Sequence, residues 1–248
     1  MKRGEFKRWN EKMFVKYNNR RLYEHPNPLI RFIEGERVRI ILRSLGKPGR
    51  VVDVGCGEGF ILSRIGAQTL VGVDISETAV REASRVKNAV IVCSYAEATP
   101  FSDSHFDAAV CSEVLEHTEN PALVVKELSR IVRPGGTIVL SVPNEPLINL
   151  IKGVVWSLGV FPLLFPGVPR RQDEEWHLHS FDMKVLRGIC ADTLAIERVY
   201  PVPFFLLPVR YVAVCRNLKA GPPAAPDMFN QEMKRKSGYL EALSGGRA

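Results

Sequence analysis

Residues 51–60 read VVDVGCGEGF, and residues 70–75 read LVGVDI. The first stretch runs from apolar residues into a turn with glycines at 55, 57 and 59. The second carries Asp74, 21 residues after Asp53. Gly55 and Gly57 leave no side chain between backbone and ligand, and Gly59 lets a following helix pack closely. An acid at the end of the second run can accept hydrogen bonds from both hydroxyls of a ribose. The pattern points to an adenosine-type ligand. Its spacing is GxGxG, with Phe60 where a dinucleotide fingerprint has its third glycine, and Asp53 would repel a pyrophosphate. A sulfonium cation bearing an ammonium group would be attracted instead, so the electrostatics favour S-adenosylmethionine over a dinucleotide.

A second group of reactive side chains lies in SEVLEHTENP, residues 112–121. A sulfonium is already an activated donor, so positioning supplies most of the acceleration. A base is needed only where the acceptor starts protonated. His117 is the candidate, because an ordinary imidazole titrates near pH 6.5. The plainer alternative is a loop histidine that pins the strand end. Glu113, Glu116 and His117 also form E-x-x-E-H, and His177 or His179 in EEWHLHSFD could add a ligand. Carboxylates with imidazole can hold Mg²⁺ or Mn²⁺. The expectation keeps His117 as the catalytic residue and assigns no metal.

These groups meet only if the runs that carry them belong to one sheet. RVVDVG, LVGVDI, AVIVCSY, FDAAVCS and TIVLSVP read as five apolar, non-alternating strands, and AIERVYPV and RYVAVCRN as two more. Between them lie helical patterns. LIRFIEGERVRIILRSLG follows a capping Asn27 and Pro28; a helix is expected from about Gly59; ETAVREASRV follows a capping Ser76. ALVVKELSRIV follows Asn120-Pro121 and puts Val124, Leu128 and Ile131 on one face. Non-alternating strands that alternate with helices predict an α/β, Rossmann-like, doubly wound sheet with helices on both faces.

With those pieces in place, Val51 to Asn144 resembles the core of the class I S-adenosylmethionine-dependent methyltransferases. Within them it resembles the small-molecule group that includes ubiquinone and menaquinone biosynthesis methyltransferases. The matching runs are VVDVGCGEG, VGVDIS, AEATPFSDSHFDAAVCSEVLEHTENP and ELSRIVRPGGTIVLSVPN. The resemblance implies a seven-stranded sheet whose last strand, RYVAVCRN, inserts antiparallel. It implies that Asp53, Gly55, Cys56 and Gly57 hold the methionine part of S-adenosylmethionine. Asp74 would bind the ribose, Ile75 pack on the adenine, and Ser112 lie beside the sulfonium. Where such proteins carry an aspartate against the adenine amino group, this chain has Tyr95, and the backbone of Ala96 could serve. In some relatives, including RNA 3′-end methyltransferases and some quinone O-methyltransferases, an E-x-x-E-H group holds a metal.

Substrate choice is expected in the insert at 146–171, read as a lid over an apolar acceptor, an element dipping into a membrane surface, a dimer contact or a packing element; its residues 153–169 carry no charge and include Trp156, Phe161, Leu163, Leu164 and Phe165. Gly159, Pro162 and Pro166 interrupt that run, so it does not read as a membrane span. YPVPFFLLPVRY is a second apolar, proline-broken stretch that could line the same mouth. Residues 2–21 carry eight basic and two acidic side chains, +6 of a whole-chain +7. Phe6, Trp9, Met13 and Tyr17 recur at helical spacing there, as on a helix lying on an anionic membrane, or on one packed against the domain. The expected boundaries are a basic amphipathic segment at 1–28, a methyltransferase domain at 29–216 and a flexible tail at 217–248.

Five cysteines without a CxxC pair fit a reducing compartment, and no apolar stretch follows the first residues. The expected protein is cytoplasmic, with access to the inner membrane surface. Its acceptor is a small apolar or amphiphilic molecule: a quinone precursor, an isoprenoid or another lipid. Nucleic acid is not an expected partner, because the body outside residues 2–21 is nearly neutral, and the oligomeric state is open. Two other readings stand beside this one, an RNA-modifying methyltransferase and a non-catalytic cofactor-binding protein.

Overall fold

A computed structural model describes residues 3–17, 24–164 and 176–218. The helices are α1 (Arg3–Tyr17), α2 (Pro28–Leu45), α3 (Glu77–Ala83), α4 (Pro121–Ile131), α5 (Glu145–Ser157), the single turn α6 (Phe161–Leu164) and α7 (Met183–Cys190). The strands are β1 (Arg50–Val54), β2 (Thr69–Asp74), β3 (Ala89–Cys93), β4 (Phe106–Ser112), β5 (Val132–Pro143), β6 (Leu194–Phe204) and β7 (Leu207–Asn217). They form one seven-stranded sheet in the order β3-β2-β1-β4-β5-β7-β6. The first five strands run parallel to one another, and β7 is antiparallel to both β5 and β6. The expected fold class and the antiparallel last strand are both found.

Helix starts follow the capping chemistry that the sequence offers. Asn27 accepts from the Leu29 amide at 2.9 Å, with Pro28 in the first helical turn. Ser76 accepts from Ala79 at 3.1 Å, and Asn120 caps α4 ahead of Pro121. The central strands β1, β2 and β4 are buried on both faces, as their lack of alternation requires, while the edge strands β3 and β6 are partly exposed. Val52, Val54, Ala109 and Cys111 enter a core with α4 and α7, which contribute Val124, Leu128, Leu186 and Cys190. Val51, Ala108 and Val110 enter a second core under α2 with Val38, Ile41 and Leu45.

One expected helix is absent. After Gly59 the chain makes a single α-type bond, Ser63 N–H to Gly59 O, and then tightens into a 3₁₀ turn at Leu62–Arg64. That winding buries Ile61, Leu62 and Ile65 together in the second core. The Gln68 and Thr69 amides then return to the Gly49 carbonyl, which leaves no length for a longer helix. The RPGG run also extends the strand instead of preceding it: β5 pairs with β4 from Val132 onward, with an irregularity between Phe106 and Ala108. Of the expected insert, α5 and α6 are described and 165–171 lies outside the described residues; so does the tail at 219–248.

The sheet order reverses beside β1: the chain steps outward to β2 and β3, then returns to β4 on the other side. Ligands of doubly wound sheets bind outside the carboxyl ends of the strands at such a switch.

Candidate active site

A cleft opens at that place. Gly55, Gly57, Asp74, Ile75, Ala96 and His117 line it, six of the ten residues expected at the site. Gly55 sits at φ 78°, and a Cβ there would lie 2.2 Å from Val114 Cγ2. The turn therefore needs glycine both for its backbone and for its contact with the segment after β4. The Gly55 and Cys56 amides bond the Val73 carbonyl at 2.7 and 2.9 Å, fastening the turn across β2. Asp74 locks it further, accepting from the Gly57 and Ser76 amides at 2.9 Å each. Burial pushes the Asp74 carboxyl up against these backbone bonds.

Asp53 lies beneath the turn, 2% exposed. Burial, then the nearby Asp74 carboxylate, raise it to about 7, with Arg37 opposing. It lies behind the cleft and is not part of its lining. Cys56 turns away from the ligand side: its sulfur packs against Gly72, where a Cβ would meet it at 2.9 Å. Ser112 also faces away, its hydroxyl accepting from Arg37 of α2. Tyr95 stands at the rim, its ring 6.4 Å from Phe6, while the neighbouring Ser94, Ala96 and Glu97 line the cleft.

The roof comes from α1. Phe6, Asn10 and Phe14, four residues apart on one face, line the cleft, and Phe6 and Phe14 are buried. Lys7 pairs with Glu77 at 2.6 Å, and Glu11 accepts from the Thr78 hydroxyl and amide, tying α1 to the start of α3. Apolar periodicity alone suggests a face through Phe6, Trp9, Met13 and Tyr17. The inward face is rotated from that, because polar Asn10 takes a place over the cleft.

The far end of the cleft is built from side chains distant in sequence. His117 stacks on Trp176 at 4.4 Å and donates from Nδ1 to the Trp176 carbonyl at 3.1 Å. That bond fixes the tautomer and leaves Nε2 with its lone pair, 3.9 Å from Glu116 Oε1. Burial, then His177, depress His117 to about 3. His177 donates from Nδ1 to Glu145, a buried carboxylate in the first turn of α5. Ligand-type atoms of Glu116, His117 and His177 all lie within 4.8 Å of one another. Glu116 is 1% exposed and its Oε2 has no hydrogen-bond partner among the described residues. Burial first, then Glu113, push its carboxyl well up. A buried carboxylate with an unused oxygen beside two imidazoles, one oriented by a second carboxylate, is a donor set that suits a divalent cation.

Glu113 is not part of that set. It occupies a positive φ of 56°, accepting from Ser141 at 2.8 Å and from Arg210. Arg210 also pairs with buried Glu34, which holds Arg37 at 2.8 Å. This network ties α2 to the ends of β4, β5 and β7 behind the cleft. His179 reaches the Glu119 carbonyl instead, so of the two histidines weighed from the sequence His177 is the one brought to Glu116 and His117. The residues that sequence reasoning missed are Phe6, Asn10, Phe14, Glu97, Trp176 and Glu145. Only Phe6, Asn10 and Phe14 carried a local signal, their spacing of four.

Residues 52–140 match the family model described as a methyltransferase domain. That segment is a methyltransferase domain. The ubiquinone biosynthesis O-methyltransferase of Dictyostelium discoideum mitochondria is 33% identical over 175 residues, 59% of this chain and 54% of that protein. The chain thus spans about half the length of the curated relatives it matches. Among solved structures, a possible histamine N-methyltransferase from Thermotoga maritima superposes with TM-score 0.62 at 17% identity, covering 84% of this chain and 99% of its own. The N-methyltransferase NodS from Bradyrhizobium japonicum, solved with S-adenosyl-L-homocysteine, gives 0.59 at 16%, covering 86% and 98%. These likenesses show that the methyltransferase domain has the fold of that class.

Proposed function

We propose that this protein transfers a methyl group from S-adenosylmethionine to a hydroxyl of an amphiphilic quinone precursor. The observation that carries the reading is the placement of His117, with Glu116 and His177 beside it, in the cleft that the glycine turn and Asp74 also line. The ribose end suits Asp74, and the acids around the turn suit a cationic donor. Ala96 and Ile75 offer backbone and apolar contacts for an adenine. The relatives named as ubiquinone biosynthesis O-methyltransferases support an oxygen acceptor of this kind.

An oxygen acceptor starts protonated, so its proton must be lost before or during transfer. At about 3, His117 is too weak a base to take that proton from a phenol near neutrality. The same low proton affinity keeps its Nε2 free, which suits a ligand. Glu116, His117 and His177 would hold a divalent cation, with Glu145 orienting His177. When bound, such a cation supplies Lewis acidity that makes an adjoining hydroxyl easier to ionise. The α1 roof and Trp176 would cover the donor and acceptor from solvent.

The test incubates the protein with methyl-labelled S-adenosylmethionine and a short-chain catechol precursor, with Mg²⁺ or with a chelator. Label should enter the oxygen in the presence of Mg²⁺ and fall sharply with the chelator. Labelling of carbon or nitrogen, or of an RNA acceptor in preference, would sink the reading.

A further inference from the structure

The β6–β7 hairpin ends in four consecutive apolar residues, Phe204, Phe205, Leu206 and Leu207, with no polar side chain among them. Phe205 is 82% exposed and Leu206 91%. Hairpin turns in water favour glycine, asparagine and aspartate, so this tip lacks the usual chemistry of a solvated turn. Phe32 of α2 is also exposed and lies 5.8 Å from Phe204, ring to ring, and Leu29 one turn earlier is exposed as well. The apolar surface therefore spans two elements.

The position of the tip gives it a direction. β7 is antiparallel to β5, and Pro143, the last residue of β5, pairs with Arg210. Residues 204–207 lie beyond that pair, past the carboxyl edge of the sheet, on the side where the cleft opens. Over the other half of that edge lies α1, with Phe6, Asn10 and Phe14 turned inward. Its opposite face carries exposed Arg8, Lys12 and Lys16, with Glu5 as the exposed acid of its first turn. One end of the molecule thus presents an apolar tip beside a basic helix face.

We infer that the β6–β7 hairpin tip inserts into an anionic lipid surface, with the outer face of α1 lying against the headgroups. Charge complementarity selects this occupant: apolar residues enter the acyl boundary while Lys and Arg meet anionic lipid. The aromatic residues of α1 are not the membrane-facing part, because the same helix uses Phe6 and Phe14 to roof the cleft. The inference rests on the amphiphilic acceptor proposed above, which would reach the cleft from the surface on which the tip sits.

The experiment is vesicle flotation of the full chain on phosphatidylcholine, with and without phosphatidylglycerol. The wild type should float with the anionic vesicles. Phe205→Ser/Leu206→Ser should weaken that binding about tenfold or more. Arg8→Glu/Lys12→Glu should weaken it about tenfold on anionic vesicles only. Phe205→Trp should keep it, with tryptophan emission quenched by brominated lipid. Calorimetry with S-adenosylhomocysteine on every variant checks the fold and separates the two readings. Cofactor binding without flotation of the wild type overturns the docking and leaves the methyltransferase standing; flotation without cofactor binding does the reverse. Flotation unchanged by Phe205→Ser/Leu206→Ser overturns the inference. So does a loss of self-association in that variant with flotation intact, which would make the occupant of the tip a second copy of the chain.

Discussion

The two ends of the cleft are built in different ways. The donor end is mostly backbone: a glycine turn fastened to β2 by Val73 and locked by Asp74, all within residues 51–76. The end proposed for the acceptor is side chains, Glu116, His117, Trp176 and His177, gathered by burial and by hydrogen bonds that cross the chain. A backbone site tolerates few substitutions because its shape is the chain itself. A side-chain site can change its chemistry one residue at a time while the fold stays intact. On the proposed function, the difference teaches where a common donor is handled and where acceptor choice is made.

The sharpest way to break this comparison is Gly55→Ala. The added Cβ meets Val114 at 2.2 Å and sits at a φ that alanine disfavours. Stability should fall by about 2–4 kcal/mol, and S-adenosylhomocysteine should bind at least about a hundredfold more weakly. Adding Val114→Ala should return part of the stability, read by denaturant unfolding, because it removes the clash and not the backbone strain. If Gly55→Ala binds normally, the donor end is not a backbone site.

The converse test is His177→Ala. Methyl transfer should fall about a hundredfold, while calorimetric affinity for S-adenosylhomocysteine stays within about twofold of wild type. Glu145→Gln should weaken Mn²⁺ binding about tenfold, seen by paramagnetic resonance, since it loosens the hydrogen bond that orients His177. Loss of cofactor binding in either variant would mean that the two ends are not separable.

Asp53 sharpens the comparison through pH. Burial pushes its carboxyl up from an ordinary 3.8 to about 7, so ionisation is resisted in the fold. Its contribution to stability is then fully present below pH 4 and lost as pH rises through 7. Relative to Asp53→Asn, this slope amounts to something on the order of 4 kcal/mol. A bound sulfonium favours the ionised form. The preference for S-adenosylmethionine over its neutral-sulfur product should therefore rise about tenfold between pH 6 and 8, and the rise should vanish in Asp53→Asn. The smallest effect is expected at the roof. Phe6→Ala removes one ring over the cleft, and cofactor affinity should fall only about threefold to tenfold.

Much of the fold was legible. Non-alternating apolar runs announced strands covered on both faces, and Asn27, Ser76 and Asn120 announced helix starts that the structure keeps. The helix expected after Gly59 failed because local periodicity cannot see that the chain must return to Gly49. Of the site, Gly55, Gly57, Asp74 and Ile75 were legible because turn and strand end are contiguous. Cys56 and Ser112 share those segments, yet their side chains point elsewhere, into the second core and toward Arg37. Which way a side chain points from a turn depends on what packs beneath it.

By itself the sequence determined the strands of a parallel sheet and the glycine turn with its two acids, since each follows from local backbone preferences and burial over a few residues. Only the tertiary structure decided that His177 and not His179 joins Glu116 and His117, that Glu113 is bound to Arg210, and that α1 turns Asn10 toward the cleft. Those choices rest on contacts between residues dozens of positions apart, where packing and burial of charge, and not local propensity, set the outcome.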